Sequence, residues 1–274
     1  MINGKKVLAI VTARANSQGL PGKNHKQLLG SPLFTWSIMS AIRSKYVDTV
    51  VISSNCEHVK EISLQLIDEI KNAVGQCKDL IKCKNVEFLQ RPEEYATSIS
   101  KNEDSLIHAY HYAKDHLSID ADIIANLQPT SPIRDTKDNI LLDECLEKME
   151  NEKADSLFTG TRHTPFYFKI IDGEVKAEWD IYNRPMRQEL ENSNWAWHWH
   201  DDGNVYVVST PLLLSSKCRL GGKISLFETD EFQTIQIDIS KDFQLIEAVC
   251  KICYGKGERT EASKKRKALQ QITA

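Results

Sequence analysis

Ala13-Arg14-Ala15-Asn16-Ser17-Gln18-Gly19-Leu20-Pro21-Gly22-Lys23-Asn24 follows the apolar run Val7-Leu8-Ala9-Ile10-Val11 and precedes Ser31-Pro32. The run reads as a buried strand. Ser31 followed by Pro32 reads as an N-cap and a first-turn proline that open a helix. Between them lies a loop of small residues with two cations, Arg14 and Lys23, and with Gly19 and Gly22 to let backbone amides approach a ligand. Such a loop at a strand end suits a polyphosphate. Two familiar phosphate loops are excluded. Ser17 stands where a Walker loop needs its first glycine, and Asn24 follows the lysine where that loop needs a hydroxyl. The three spaced glycines of the dinucleotide fingerprint are also absent.

Outward from this loop, strand and helix patterns alternate. A helix is expected over Pro32–Arg43, a strand over Thr49–Ser53 and an amphipathic helix over Glu57–Ile70. A Lys-rich excursion (71–84) and a strand at Val86–Leu89 follow. Asn102 reads as the cap of the next helix, with Glu103 and Asp104 favouring its positive end. Asp122–Leu127 reads as an inner strand ended by Gln128-Pro129-Thr130-Ser131-Pro132. A helix over Thr136–Met149 and a strand over Asp155–Thr159 complete an α/β pattern: a doubly wound, mostly parallel, Rossmann-like sheet. Ligands on such sheets bind beyond the carboxyl ends of strands. Arg14, Lys23, Arg91 and Gln128 all lie just after strands. Residues 161–202 break the alternation, being rich in aromatics, prolines and charges. They read as an excursion from one domain made of residues 1–160 and 203–274. Strands resume at Gly203–Val208 and Thr234–Ile239, before a helix over Phe243–Tyr254.

At 274 residues the chain has room for one large α/β domain, and 41% hydrophobic residues suit an ordinary core. A net charge of −3 of mixed sign supplies no field for nucleic acid or an anionic membrane. The basic run Ser263–Lys267 reads as a solvated helix end. No run is apolar enough to span a bilayer, and Arg14 interrupts the first apolar stretch too early for a signal peptide. Seven cysteines without regular spacing fit a reducing compartment, so a cytoplasmic location is expected. Cys250 and Cys253, with Cys77 and Cys83 as a second half, could hold zinc or be inert thiols.

The pattern Ala-Arg-x-x-Ser-x-Gly-x-x-x-Lys-Asn closely resembles the N-terminal signature of the CMP-sugar synthetases, specifically the acylneuraminate cytidylyltransferases. Five further segments extend the likeness in the right order. They are Lys26–Leu33, Leu89-Gln90-Arg91-Pro92-Glu93-Glu94, Leu127-Gln128-Pro129-Thr130-Ser131-Pro132-Ile133-Arg134, and the pairs Arg187-Gln188 and Ile237-Asp238. The resemblance implies a nucleotidyltransferase-type fold in which a sugar hydroxyl attacks the α-phosphorus of CTP. It implies Arg14 and Lys23 as catalytic cations. Ala13, Ala15, Asn16, Ser17, Gly19, Asn24, Arg91 and Asn102 would line the nucleotide, with small residues keeping the loop's amides accessible. Gln128, Arg187, Gln188, His163 and His200 would contact an acidic nine-carbon sugar, some of them across a homodimer built on the excursion. Asp238, with Gln236, would hold a divalent cation such as Mg2+.

The chain also departs from the family pattern. Gln236-Ile237-Asp238 replaces Asp-x-Asp, Asp202-Gly203 replaces Asn-Gly, and Asn102 stands where a small hydroxyl residue is usual. Asp238 alone could equally close a strand or cap the helix near Asp242. His163, beside Pro165, could be a plain turn residue. Trp195, Trp197 and Trp199 share one face of an extended segment and suit a subunit contact. On the other face, His198 and His200 lack an evident third metal ligand. Transfer to 3-deoxy-octulosonate and a catalytically dead nucleotide-binding homologue are the alternative functions.

Overall fold

The computed structural model describes residues 1–15, 17–76, 85–135, 139–163, 166–184, 186 and 198–253. Asn16, Cys77, Cys83, Arg187, Gln188, Trp195, Trp197 and the 263–267 run lie outside the described residues.

The chain begins with β1 (Val7–Thr12), the two-residue strands β2 (Gln27–Leu28) and β3 (Ser31–Pro32), and α1 (Leu33–Arg43). Next come β4 (Thr49–Ser54), α2 (Glu57–Gln76), β5 (Asn85–Gln90), α3 (Asn102–Leu117) and β6 (Ile123–Leu127). Then follow α4 (Leu141–Glu152), β7 (Ser156–His163), β8 (Phe168–Ile171), β9 (Glu174–Ala177) and β10 (His198–Ser209). The last elements are α5 (Thr210–Ser216), β11 (Ile224–Glu228) and α6 (Ser240–Cys253).

Seven strands form one sheet in the order β11-β7-β10-β6-β1-β4-β5. All pairings are parallel except those of β10, which runs antiparallel to both β6 and β7. The β-branched runs of β1, β4 and β6 are buried almost throughout, as a sheet covered on both faces requires. On one face Phe34 and Ile38 of α1, Val59 and Ile67 of α2, and Leu142 and Leu146 of α4 pack on the sheet. On the other, Leu106, Ala109 and Tyr110 of α3 join Leu213 of α5. A third cluster sits at the sheet's rim. There Phe243, Ile246 and Val249 of α6 close over Leu20, Leu28, Leu33 and Ile237.

Four local expectations change. Ser31 and Pro32 pair with Leu28 and Gln27, so the helix starts at Leu33 and Pro32 occupies its N-cap position. Lys101 rather than Asn102 is the N-cap of α3. The second helix runs to Gln76, six residues past its expected end. Residues 235–239 carry no ladder: a 3-10 turn over Glu231–Thr234 precedes them, and Ile237 donates its N–H to the Thr130 carbonyl at 2.9 Å. Their alternating isoleucines face α6 and the first loop instead of a neighbouring strand.

The excursion grows out of two sheet strands. β7 and β10 stay paired through Asp201↔Gly160, His200↔Thr161, Trp199↔Arg162 and His198↔His163. Further out, β8 and β9 form a hairpin around Asp172 and Gly173, at φ 54° and 83°. Two positive φ values with Asp-Gly are the pattern of a tight two-residue hairpin turn.

Candidate active site

The first loop is fastened at both ends. Ala13 N–H donates to Ser53 O, and Ser54 Oγ donates to Ala13 O at 2.5 Å. Asn55 Oδ1 accepts the Ala15 N–H at 2.8 Å, and Asn24 Nδ2 donates to Arg14 O at 2.8 Å. The Ser17 N–H donates to Ala15 O. The amides of Ala13, Ala15 and Ser17 therefore have partners within the protein, contrary to the expectation of open donors.

Lys23 is buried, and its ammonium donates to Ile237 O at 2.6 Å and to Asp238 Oδ1 at 3.2 Å. Gly22, at φ +69°, sets the turn that starts the short helix carrying Lys23. Gly19 is needed for a different reason: a Cβ there would stand 2.3 Å from the Asp238 carbonyl oxygen. The loop and the segment before α6 thus touch backbone to backbone. Arg14 is half-buried and donates from Nη1 to Thr97 O at 3.0 Å. Arg91 is buried after β5, with Nε on Ser53 Oγ and Nη2 on Ser53 O. Burial and then the nearby Arg14 charge lower its pKa to about 10, so it stays a cation at neutral pH.

At the end of β6, Asn126 is buried and accepts a hydrogen bond from Asn102 Nδ2 at 2.8 Å. Gln128 follows, half-buried, and its backbone carbonyl accepts from Ser37 Oγ and Arg134 Nη2. Arg134 lies wholly inside the protein, bound also to Ser37 Oγ and Asn204 O. Burial lowers its pKa to about 10. Asp202 is a second buried polar hub. It accepts from Thr159 Oγ1, Thr229 Oγ1 and Asn204 N, and burial raises its pKa.

Tyr206 donates to both Asp201 carboxylate oxygens at 2.8 and 2.9 Å. The guanidinium of Arg219 lies 4.2 Å from the Tyr206 ring centre and pairs with Glu103 at 2.8 Å. Sequence reading missed Asn55, Asn126, Asp201, Tyr206 and Arg219. For Asn55 and Asn126 a signal existed, since each stands at or just beyond the end of an inner strand.

His163 and His200 are exposed on the arm, with ring centres 5.5 Å apart. Three strand spacings, roughly 14 Å, separate β7 from β1 and its loop.

Asp238 is 70% exposed at its side chain. Helix capping falls to Asp242, whose Oδ2 accepts from the N–H groups of Asp238 and Ile239. Gln236 lays its amide against Gly203. The donor set is therefore one accessible carboxylate and one neutral amide. Among the described residues no group of three or more histidine, cysteine or acidic side chains is gathered for a metal. Such a set fits a magnesium ion that takes most of its oxygens from a polyphosphate, and it does not fit an all-protein cage.

A sequence profile for the family described as cytidylyltransferase matches residues 8–210. N-acylneuraminate cytidylyltransferase A of Danio rerio is 25% identical over 89% of this chain and 50% of its own length. The pseudaminic acid cytidylyltransferase of Campylobacter jejuni is 24% identical over 90% of this chain and 97% of its own. The chain spans about half the length of the N-acylneuraminate relatives and nearly all of the Campylobacter one. In architecture it resembles CMP:2-keto-3-deoxy-manno-octonic acid synthetase complexed with CTP, with TM-score 0.58, 15% identity and coverage of 90% and 99% of the two chains. It also resembles 4-diphosphocytidyl-2C-methyl-D-erythritol synthase of Anaerococcus prevotii, with TM-score 0.57 and 13% identity, over 91% and 100%. At those identities the likeness is one of fold. With the profile covering well over half of its residues, this chain belongs to the cytidylyltransferase family.

Proposed function

We propose that the protein transfers CMP from CTP to a nine-carbon α-keto acid sugar. A sugar hydroxyl oxygen bonds to the α-phosphorus as its proton passes to water, the bond from that phosphorus to the bridging oxygen breaks, and pyrophosphate leaves. The observation that carries this reading is the Lys23 ammonium held at Asp238 by a loop that only a glycine at position 19 allows.

Little covalent work falls to the protein in such a displacement. Positioned charge does most of it. Lys23 supplies a point charge and Arg14 a planar fork for phosphate oxygens. Arg91, pinned by Ser53, keeps a second guanidinium behind Arg14. Asn102, half-buried and braced on the buried Asn126, lies at the adjoining strand end, with Gln128 nearby for the acceptor. Asp238 would hold a magnesium ion together with substrate oxygens; bound there, the ion supplies electrostatic stabilisation of the phosphates.

We also infer a homodimer built on the arm. Phe168, Ile170, Val175 and Tyr182 are 56%, 76%, 69% and 93% exposed, which is costly for a protein that stays alone. An arm reaching another copy would also bring His163 and His200 to an acceptor. The free cysteines Cys56, Cys145, Cys218 and Cys250 suit the cytoplasm. No described helix is long and apolar enough to cross a membrane.

Pyrophosphate release with CTP and magnesium tests the reading against sialic, legionaminic and pseudaminic acids and 3-deoxy-octulosonate. Turnover with a nine-carbon acid supports it. Turnover confined to the octulosonate would replace it, and CTP binding without turnover would mark a dead homologue.

A further inference from the structure

A large bulge in β10 places Asp201 at the strand end that carries Asn126 and Gln128. The β7–β10 register moves from Asp201↔Gly160 to Tyr206↔Phe158, so β10 advances five positions while β7 advances two. Gly203, at φ +62°, makes the turn within the bulge. Bulges re-aim side chains and are common beside active sites. Here the bulge returns Asp201 to Tyr206, whose hydroxyl donates to both carboxylate oxygens, and to the Gly203 N–H at 2.9 Å. Tyr206 and Asn126 are direct partners across β10 and β6, so they share a face of the sheet. The Asn204 and Gln128 carbonyls both accept from Nη2 of Arg134, which ties the bulge to the backbone of Gln128.

This brace leaves half of the carboxylate's capacity unused. An ionised carboxylate has about four acceptor positions, and the phenol proton and the Gly203 N–H take two. Burial, and then the Asp201 charge, raise the Tyr206 pKa, so the phenol keeps its proton and remains the donor. Arg219, stacked on the Tyr206 ring, pairs with Glu103 rather than with Asp201. Tyr206 is buried and Asp201 is exposed, so the remaining acceptor positions face outward. On the reading of an acidic sugar as acceptor, we propose that Asp201 is a specificity residue of the acceptor subsite. Its carboxylate takes hydrogen bonds from hydroxyl or amide N–H groups of the sugar. A fixed anion that can only accept favours the donor-bearing end of the sugar and repels its carboxylate, so it sets which end lies here. Tyr206 acts through Asp201 as a positioning residue, held in turn by Arg219.

Calorimetry on the full chain with CMP bound tests it, with sialic, legionaminic and pseudaminic acids titrated in turn and CTP titrated separately. Expected is binding of at least one acid by the wild type. Asp201→Asn should weaken that acid at least about tenfold, because the amide turns a donor toward groups that also donate. CTP affinity should stay within about twofold. The amide oxygen can still accept the Tyr206 phenol, so thermal unfolding should hardly move. Tyr206→Phe, which frees Asp201, should weaken the acid in the same sense with CTP affinity kept. A role confined to satisfying the buried phenol predicts equal acid affinity in wild type and Asp201→Asn, and that result would overturn the proposal. So would a wild type that binds none of the acids, or an equal loss of CTP affinity. Acid binding that Asp201→Asn weakens supports it even without pyrophosphate release, an outcome that removes only CMP transfer.

Discussion

The ammonium of Lys23 lies 3.2 Å from the carboxylate of Asp238, although 215 positions of sequence separate them. The lysine is buried while the aspartate is open to solvent, so the pair forms a charged floor with one accessible side. Lys23→Ala should lower turnover by about 10² to 10³, the usual loss of one transition-state stabiliser. Lys23→Met, which keeps the buried stem, should lose as much. Steady-state pyrophosphate release checks both, and near-normal rates would remove Lys23 from the chemistry.

Asp238→Asn removes the one charged oxygen ligand assigned to magnesium. The magnesium concentration giving half-maximal rate should rise about tenfold, corresponding to about 1.4 kcal/mol. Excess chelator should abolish activity in both proteins. An unchanged magnesium curve in the variant would place the ion elsewhere.

Gly19→Ala drives a methyl group into the Asp238 carbonyl, which is backbone and cannot swing away. A destabilisation of about 1–3 kcal/mol is expected, together with weaker CTP binding. Urea unfolding and calorimetry with CTP measure the two effects. Gly4, which a Cβ would not crowd but which sits at φ +80°, is the contrasting control for backbone strain alone.

Arg134 is fixed inside the protein by Ser37, Gln128 and Asn204. Arg134→Ala strands those acceptors in the interior and should cost about 3–5 kcal/mol in urea unfolding. Arg134→Lys should recover only part of that, because a lysine cannot reproduce the planar fork.

Asp202 gives a pH prediction. Burial raises its folded-state pKa above 3.8, so across the interval above 3.8 the native state binds more protons than the unfolded chain. Stability then falls as pH rises through that interval, because the charged buried form becomes the one that must be kept. Asp202→Asn should flatten this slope in thermal unfolding measured against pH. The Thr159 and Thr229 hydroxyls can turn to accept from the new amide, so the variant should still fold.

Much of this fold is legible locally. Val7–Val11, Thr49–Ser53 and Asp122–Leu127 announce inner strands because burial on both faces demands unbroken apolar runs. The loop's cations and glycines carry the expectation of a polyphosphate. Long-range choices are less readable. Ile235 and Ile237 alternate as a strand would, yet they pack against α6, a preference that no local pattern encodes. The Asp-Gly turn at residues 172 and 173 is a readable hairpin signal inside a segment that otherwise breaks the alternation. The engagement of the Ala15 amide by Asn55 depends on two strand ends meeting, which the alternation implies but does not specify.

The family profile stops at residue 210, before Ile237, Asp238 and α6. Those late residues supply the lid of the rim cluster and the anion opposite Lys23. During synthesis, then, the first loop emerges early but cannot take its final form until most of the polypeptide has left the ribosome. A fragment cut at the profile's boundary would keep the sheet's centre and lose the grip.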